Sequence, residues 1–150
     1  MIRDALLQAV SAFVGTLGFA ILIRAPRRAM AVASLNGTMA YMLYWVLGRL
    51  GFSEPAAVFV GSLFGALMAL LCARRMQMIS TVFLALSIVA FVPGLGLYRC
   101  MQLLGAGDTH AGAQQGVAAM MSIAMIALGQ GVGSFVFRAL RKKPSAAAKG

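Results

Sequence analysis

The residues with the clearest chemical potential lie in one short stretch where an apolar sequence is interrupted. Pro93 removes a backbone donor and disfavours helix before it, while Gly94 and Gly96 let the chain turn. A short amphipathic helix after the break would carry Tyr98 and Arg99. Its unpaired N–H groups, its positive dipole end and the guanidinium would bind a carboxylate, so we predict that these five residues bind substrate. The alternative is that the break only ends a helix at the membrane surface.

A second set of polar side chains shares one helical face. Ser34 and Thr38 lie four residues apart and are followed on that face by Tyr41 and Trp45. Hydroxyl groups in a membrane helix can bond back to carbonyls of their own helix, which is the favoured interpretation. The alternative is that Ser34 and Thr38 form part of a polar wall for a solute path, and both are therefore included among the predicted substrate-binding residues.

The remaining chemistry-bearing residues predict neither catalysis nor a metal site. The sequence has no Ser/His/Asp, Cys/His or paired-carboxylate set, and His110 has no ligand cluster around it. Cys72 and Cys100 are expected on opposite sides of the membrane. The net charge of +10 falls at the ends of apolar runs and in the tail, which argues against nucleic acid as a partner. We expect no enzyme activity and no cofactor.

The elements that position these residues must be membrane helices. Hydrophobic residues make up 61% of the chain and charged residues 11%, with a mean hydropathy of +0.90. Soluble domains carry about 25% charged residues, because their surfaces must be solvated. We therefore predict an all-α integral membrane protein that lies in a lipid bilayer.

Five apolar runs have about the length of a membrane-spanning helix. They cover residues 5–23, 29–50, 55–72, 76–92 and 114–137, and the fourth run breaks at Pro93-Gly94. Residues 1–140 are predicted to form one transmembrane domain, and residues 141–150 a disordered, basic cytoplasmic tail.

The basic residues predict the orientation, because Lys and Arg concentrate in cytoplasmic loops. With the N-terminus outside and the C-terminus inside, ten of the thirteen basic residues are cytoplasmic. Arg3, Arg49 and Arg99 remain outside, and all three acidic residues fall on that outer side.

Two pairs of glycines predict close helix packing, since small residues let membrane helices approach each other. Gly61 and Gly65 lie in the third run, and Gly129 and Gly133 lie in the fifth. We interpret them as helix-packing residues.

In these features the chain resembles the small, YjjB-like half of the threonine/serine exporter family. The resemblance rests on the Arg24-Ala25-Pro26-Arg27 turn, on a third run that ends in Ala73-Arg74, and on Val92-Pro93-Gly94 with Tyr98 shortly after. A polar loop and a final helix rich in small residues follow. The resemblance covers roughly residues 5–140.

The resemblance implies a transporter that exports threonine, serine or a dicarboxylate such as succinate. It also implies that this chain is one half, working with a YjjP-like multi-span subunit in the bacterial inner membrane. Pro93 and Gly94, followed by Gly96, Tyr98 and Arg99, fall on the matching motif. The alternative is a self-assembling channel or an oligomeric scaffold built from copies of this chain.

Overall fold

The computed structural model describes residues 2–89 and 91–141, and over these residues the chain is helical, without strands. Six helices follow one another: α1 (Ile2–Leu22), α2 (Arg27–Arg49), α3 (Glu54–Arg75), α4 (Ser80–Val89), α5 (Gly94–Gly105) and α6 (Thr109–Arg141). The predicted all-α architecture is confirmed. The tail predicted for residues 141–150 lies, from residue 142 onward, outside the described residues.

Four helices, α1, α2, α3 and α6, are long and apolar enough to cross a membrane. α4 and α5 meet the same criterion only as a pair, and the chain bends by 51° between them. The chain therefore has four membrane helices and a fifth crossing if the bent pair is one span. This confirms about five spans with a break in the fourth, whereas the orientation in the membrane stays a prediction.

The packing of α6 on α3 shows that the bent pair carries the chain across once. A Cβ atom built on Gly129 would lie 2.8 Å from the Phe59 carbonyl oxygen, and one on Gly133 would lie 2.8 Å from the Ala66 Cβ. Residue numbers increase together along both helices, so α3 and α6 run parallel. Two parallel helices need an odd number of crossings between them, and α4 with α5 supplies that crossing.

α5 runs back along the first part of α6. A Cβ on Gly112 would lie 2.7 Å from the Leu104 Cγ, and one on Gly116 would lie 3.1 Å from the Cys100 sulfur. These contacts pair increasing residue numbers on α6 with decreasing numbers on α5, so the two helices form an antiparallel hairpin. The hairpin places the start of α5 beside the middle of α6.

The first helix of the fourth span is shorter than the predicted residues 76–92, because α4 covers only ten residues. Before it, Gln77 has a φ of 53° and the Met78 N–H donates to the Ala73 carbonyl, which closes the end of α3 as a turn. Ten helical residues span about 15 Å, roughly half of a bilayer core. α4 alone therefore cannot complete the crossing.

The last helix begins earlier than residue 114, where the sequence placed its start. The Asp108 carboxylate accepts a hydrogen bond from the Ala111 N–H at 3.0 Å, which caps α6 at Thr109. The 33 residues of α6 span about 50 Å, well beyond a core of about 30 Å.

Small side chains fill the core where α1, α2, α3 and α4 meet. We call this region the closed half, and its buried residues are Ala20, Ala25, Ala29, Ala33, Ala69, Ala73, Phe83 and Leu86. Alanine lets helix backbones approach closely, which matters because lipid supplies no hydrophobic drive for association. The closed half lies beside the α1–α2 and α3–α4 turns, which carry most of the arginines of the loops.

The two predicted glycine pairs face different neighbours. Gly129 and Gly133 lie against α3, as described above. A Cβ on Gly65 would lie 3.1 Å from the Ala40 Cβ of α2, and one on Gly61 would lie 3.0 Å from the Phe91 ring. The pairs thus do not pack on each other: one joins α6 to α3, and the other joins α3 to α2 and to the chain after α4.

Candidate functional site

The break between α4 and α5 is an irregular stretch of backbone that begins α5. Pro93, the residue before α5, has a φ of −77° and a ψ of 54°, and this ψ is not helical. The Gly94 N–H donates to the Val92 carbonyl at 2.7 Å, and the Leu97 N–H donates to the Pro93 carbonyl at 3.0 Å. The first N–H groups of a helix have no acceptor within it, so those of Leu95 and Gly96 are available to a ligand.

The break lies inside the bundle rather than above it. The Phe91 ring packs on Gly61, which is seven residues, or about 10 Å, along α3 from Glu54. Phe91 is buried and meets Tyr44 edge-on, with ring centroids 6.1 Å apart. Irregular backbone at this depth is tolerated where it is covered by protein or lines a cavity.

Beside the break lies a cavity of about 480 Å³. Its walls come from α2, α3, the break, α5 and α6, and we call this region the cavity half. The lining residues are Tyr41, Tyr44, Glu54, Val58, Phe91, Val92, Pro93, Gly94, Leu95, Gly96, Arg99, Gln115, Ala118, Ala119 and Ser122. The volume falls in the range of small-molecule sites.

Two side chains of opposite charge line the cavity from different helices. Glu54 stands at the start of α3, and Arg99 stands on α5. Among the described residues that line the cavity, Glu54 is the only acid and Arg99 the only base. No ion pair joins them within residues 2–89 and 91–141, so each charge is left to face the cavity or solvent.

The uncharged polar groups of the cavity are partly held by the protein itself. The Tyr41 hydroxyl donates to the Gln8 side-chain oxygen at 3.0 Å, which links α2 to α1. The Ser122 hydroxyl donates to the Ala118 carbonyl at 3.2 Å within α6. Gln115, which precedes Ser122 on α6, also lines the cavity. These groups offer a polar surface around the two charges.

The structure brings together four of the seven residues predicted to bind substrate. Pro93, Gly94, Gly96 and Arg99 line the cavity. Tyr98 points elsewhere: it does not line the cavity and is 62% exposed. Whether these residues bind a substrate stays a prediction.

Ser34 and Thr38, the other two, lie apart from the break. Both are buried in α2 and neither lines the cavity. The Thr38 hydroxyl donates to the Ser34 carbonyl at 2.8 Å, which is the back-bonding that the favoured interpretation predicts. The Ser34 hydroxyl has no hydrogen-bond partner in the part of the chain that the structure describes.

A smaller cavity of about 260 Å³ lies between α1, α2 and α4, and Tyr41 lines both cavities. Gln8, Ser11 and Thr16 of α1 contribute its polar lining. The hydrogen bond from Tyr41 to Gln8 therefore holds the ring that stands between the two spaces.

Sequence reasoning missed Glu54, which falls between the second and third apolar runs. No local pattern marks this residue, because the cavity forms from helices that are distant in sequence. The available signal was the predicted topology, which puts Glu54 and Arg99 on the same side of the membrane.

No group of three His, Cys, Asp or Glu side chains within the described residues is placed to hold a metal ion. Cys72 and Cys100 are both free thiols. The expectation that the chain needs no cofactor stays a prediction. What the cavity can do chemically is to bind a small charged solute by hydrogen bonds and by its two charges.

Comparison with known proteins gives one match. A family model described as Threonine/Serine exporter, ThrE, matches residues 8–136 of the chain. Searches of curated proteins and of solved structures gave no match. The matched range includes the break and every residue that lines the cavity beside it.

Proposed function

Because the chain belongs to the threonine/serine exporter ThrE family, we propose that it is a membrane subunit of a two-component secondary exporter. Its cargo is a small hydrophilic metabolite, threonine, serine or a dicarboxylate such as succinate. Its location is the bacterial inner membrane, as a multi-pass protein, and it acts by transport rather than by catalysis.

The observation that carries the proposal is the cavity beside the broken span. The start of α5 and the Arg99 guanidinium line the same space, and both suit a carboxylate. Broken helices whose N-terminal ends point at an anionic group are a recurring device of secondary transporters. A carboxylate is common to all the proposed cargoes.

The scarcity of ionisable groups supports a second subunit. Within the described helices, the cavity offers one acid and one base, and both lie near one end of the bundle. Coupled transport commonly uses acidic or basic groups deep in the membrane. A YjjP-like multi-span subunit would supply such groups and would complete the path.

The first test measures export by variants of the cavity. Arg99→Ala should reduce export by roughly tenfold or more, since a charge-assisted hydrogen bond is lost. Gly94→Leu should have a similar effect with the fold intact, because Gly94 lines the cavity and a Cβ built there would meet no atom within 4 Å.

Arg49→Ala is the matched control. Arg49 also lies near the cavity half, but its guanidinium stacks over the Trp45 ring at 4.5 Å and does not line the cavity. It should export normally. Normal export by Arg99→Ala and Gly94→Leu, at normal membrane levels, would remove the cavity from the substrate path.

The second test concerns the partner. The tagged chain is purified in mild detergent from its native membrane, and the co-eluting proteins are identified by mass spectrometry. A second multi-span protein in stoichiometric amount is the expected result. Copies of this chain alone would favour a self-assembling channel or scaffold instead.

A further inference from the structure

We infer that Glu54 is a specificity-determining residue, which binds the ammonium group of a zwitterionic substrate and disfavours dicarboxylates. The inference rests on the proposed function and goes beyond it, because it selects one class among the proposed cargoes and assigns the choice to one side chain.

The first argument is the arrangement of charge. The carboxylate-binding groups, Arg99 and the start of α5, lie on one wall of the cavity, and Glu54 belongs to α3 on another. The two charges do not neutralise each other by an ion pair in the described chain. A substrate that carries an ammonium and a carboxylate on the same carbon has a group of opposite charge for each of them in this cavity.

The second argument is what a dicarboxylate would meet. With one carboxylate at Arg99, its second carboxylate would face Glu54 or the tyrosine rings. Like charges repel, and a repulsive group is an effective way to reject a wrong ligand. The same position is favourable for an ammonium group.

The third argument is the aromatic surface next to Glu54. Tyr41 and Tyr44 line the cavity with ring centroids 5.7 Å apart. The faces of aromatic rings attract cations and offer nothing comparable to an anion. Glu54 and the two rings together give the α2–α3 wall a preference for positive charge.

A purely structural role is the competing explanation for Glu54. It lies in the first turn of α3, where a negative side chain interacts favourably with the helix dipole. That role would affect all substrates alike, since it acts through the stability of α3. The decisive measurement therefore compares substrates that differ only in the ammonium group.

The experiment measures initial uptake into inside-out vesicles from cells that express the full chain with its natural membrane neighbours. The probes are serine, glycerate, in which a hydroxyl replaces the ammonium, and ethanolamine, which lacks the carboxylate. Glu54→Gln should lower the preference for serine over glycerate by roughly tenfold, because a charged hydrogen bond is lost. Arg99→Gln should instead lower the preference for serine over ethanolamine.

Two further variants separate charge from structure. Glu54→Asp keeps the charge and should restore much of the preference for serine. Asp108→Asn removes another acid from the same side of the membrane, where an asparagine can still cap α6, and should leave the preference unchanged.

The outcomes distinguish the inference from the proposed function. If the wild type transports serine and Glu54→Gln changes serine and glycerate equally, Glu54 is structural and the inference is overturned, while the exporter function stands. If the wild type transports succinate but neither serine nor threonine, the inference is overturned while the exporter function stands. If it transports none of the three, the proposed function is overturned and the inference with it.

Discussion

The closed half and the cavity half lie at opposite ends of the bundle, and α2 and α3 contribute to both. In the closed half, buried alanines bring α1 to α4 together around Phe83 and Leu86. In the cavity half, α2 and α3 carry tyrosines and a glutamate instead, and the chain bends by 51° between α4 and α5. The result is dense packing at one end and a space of about 480 Å³ at the other.

This difference indicates where stability and transport should reside. Van der Waals packing holds membrane helices together, so substitutions in the closed half should lower stability. Substitutions of cavity residues that do not pack closely against other residues should change transport and leave stability nearly unchanged. The following variants test this division, beginning with the largest expected effect.

Phe83→Ala should be the most destabilising change. Phe83 is fully buried in the closed half, and removing a buried aromatic ring costs about 3–5 kcal/mol because the surrounding helices cannot fill the space. The midpoint of thermal unfolding in detergent measures the effect, and an unchanged midpoint would contradict close packing in this half.

Phe91→Ala is its counterpart at the boundary between the halves. The ring packs on Gly61 and Tyr44 but also borders the cavity, so part of the space that it leaves joins a space that already exists. The loss of stability should be smaller than for Phe83→Ala, and transport should change in the protein that remains folded. Equal destabilisation by both variants would break the comparison.

Gly129→Ala tests the closest approach of α6 to α3. An added methyl group would lie 2.8 Å from the Phe59 carbonyl oxygen, so the helices must separate. Overpacking of this kind costs about 1–3 kcal/mol, to be read from the same thermal unfolding.

Gly131→Ala is the matched control on the same helix. A Cβ there meets no atom within 4 Å, and alanine favours helix over glycine by about 1 kcal/mol. The variant should unfold at the same temperature as the wild type or slightly above it. If Gly131→Ala destabilises the protein as much as Gly129→Ala, close packing against α3 does not explain the effect of Gly129→Ala. The assigned α3–α6 contact would then be wrong.

The sequence was sufficient to predict the helices and the break, because both follow from local rules. Apolar length defines a span, and Pro93-Gly94 cannot continue a helix without losing a hydrogen bond. The start of α6 was misplaced because the capping carboxylate of Asp108 precedes the apolar run by several residues.

The cavity was predictable only in part. Helical periodicity tells which residues share a face, so the break and Arg99 could be placed together. It does not tell which helix a face will meet, and the meeting of Glu54 with Tyr41, Tyr44 and Gln115 depends on the packing of three helices. For the same reason, the face that carries Ser34 and Thr38 could not be assigned to a wall or to the interior.

The turns at the two ends of the bundle contain residues with a left-handed backbone conformation. Substitutions of these residues should change stability by smaller amounts, with opposite signs at the two ends. Arg24 and Gln77 adopt φ values of 53°, whereas Gly51 and Gly107 supply the left-handed residue at the other end. This conformation costs a residue with a Cβ about 1 kcal/mol more than glycine. Gly51→Ala should therefore lower stability by about that amount, and Arg24→Gly should raise it. Equilibrium unfolding in detergent and denaturant measures both, and identical signs would contradict the assigned backbone.

The smallest effects should come from two buried polar residues of α2. The Asn36 side-chain amide donates to the Gly65 carbonyl of α3 at 3.1 Å, so Asn36→Ala should lower stability by about 0.6 kcal/mol, an average value for such bonds in membranes. The Ser34 hydroxyl is fully buried and has no partner among the described residues, so Ser34→Ala removes an unsatisfied group and should be neutral or slightly stabilising. Transport by Ser34→Ala then decides the remaining question about this face. Wild-type transport would mean that the substrate does not contact Ser34, whereas a loss of transport without a loss of stability would extend the path from the cavity half into the closed half.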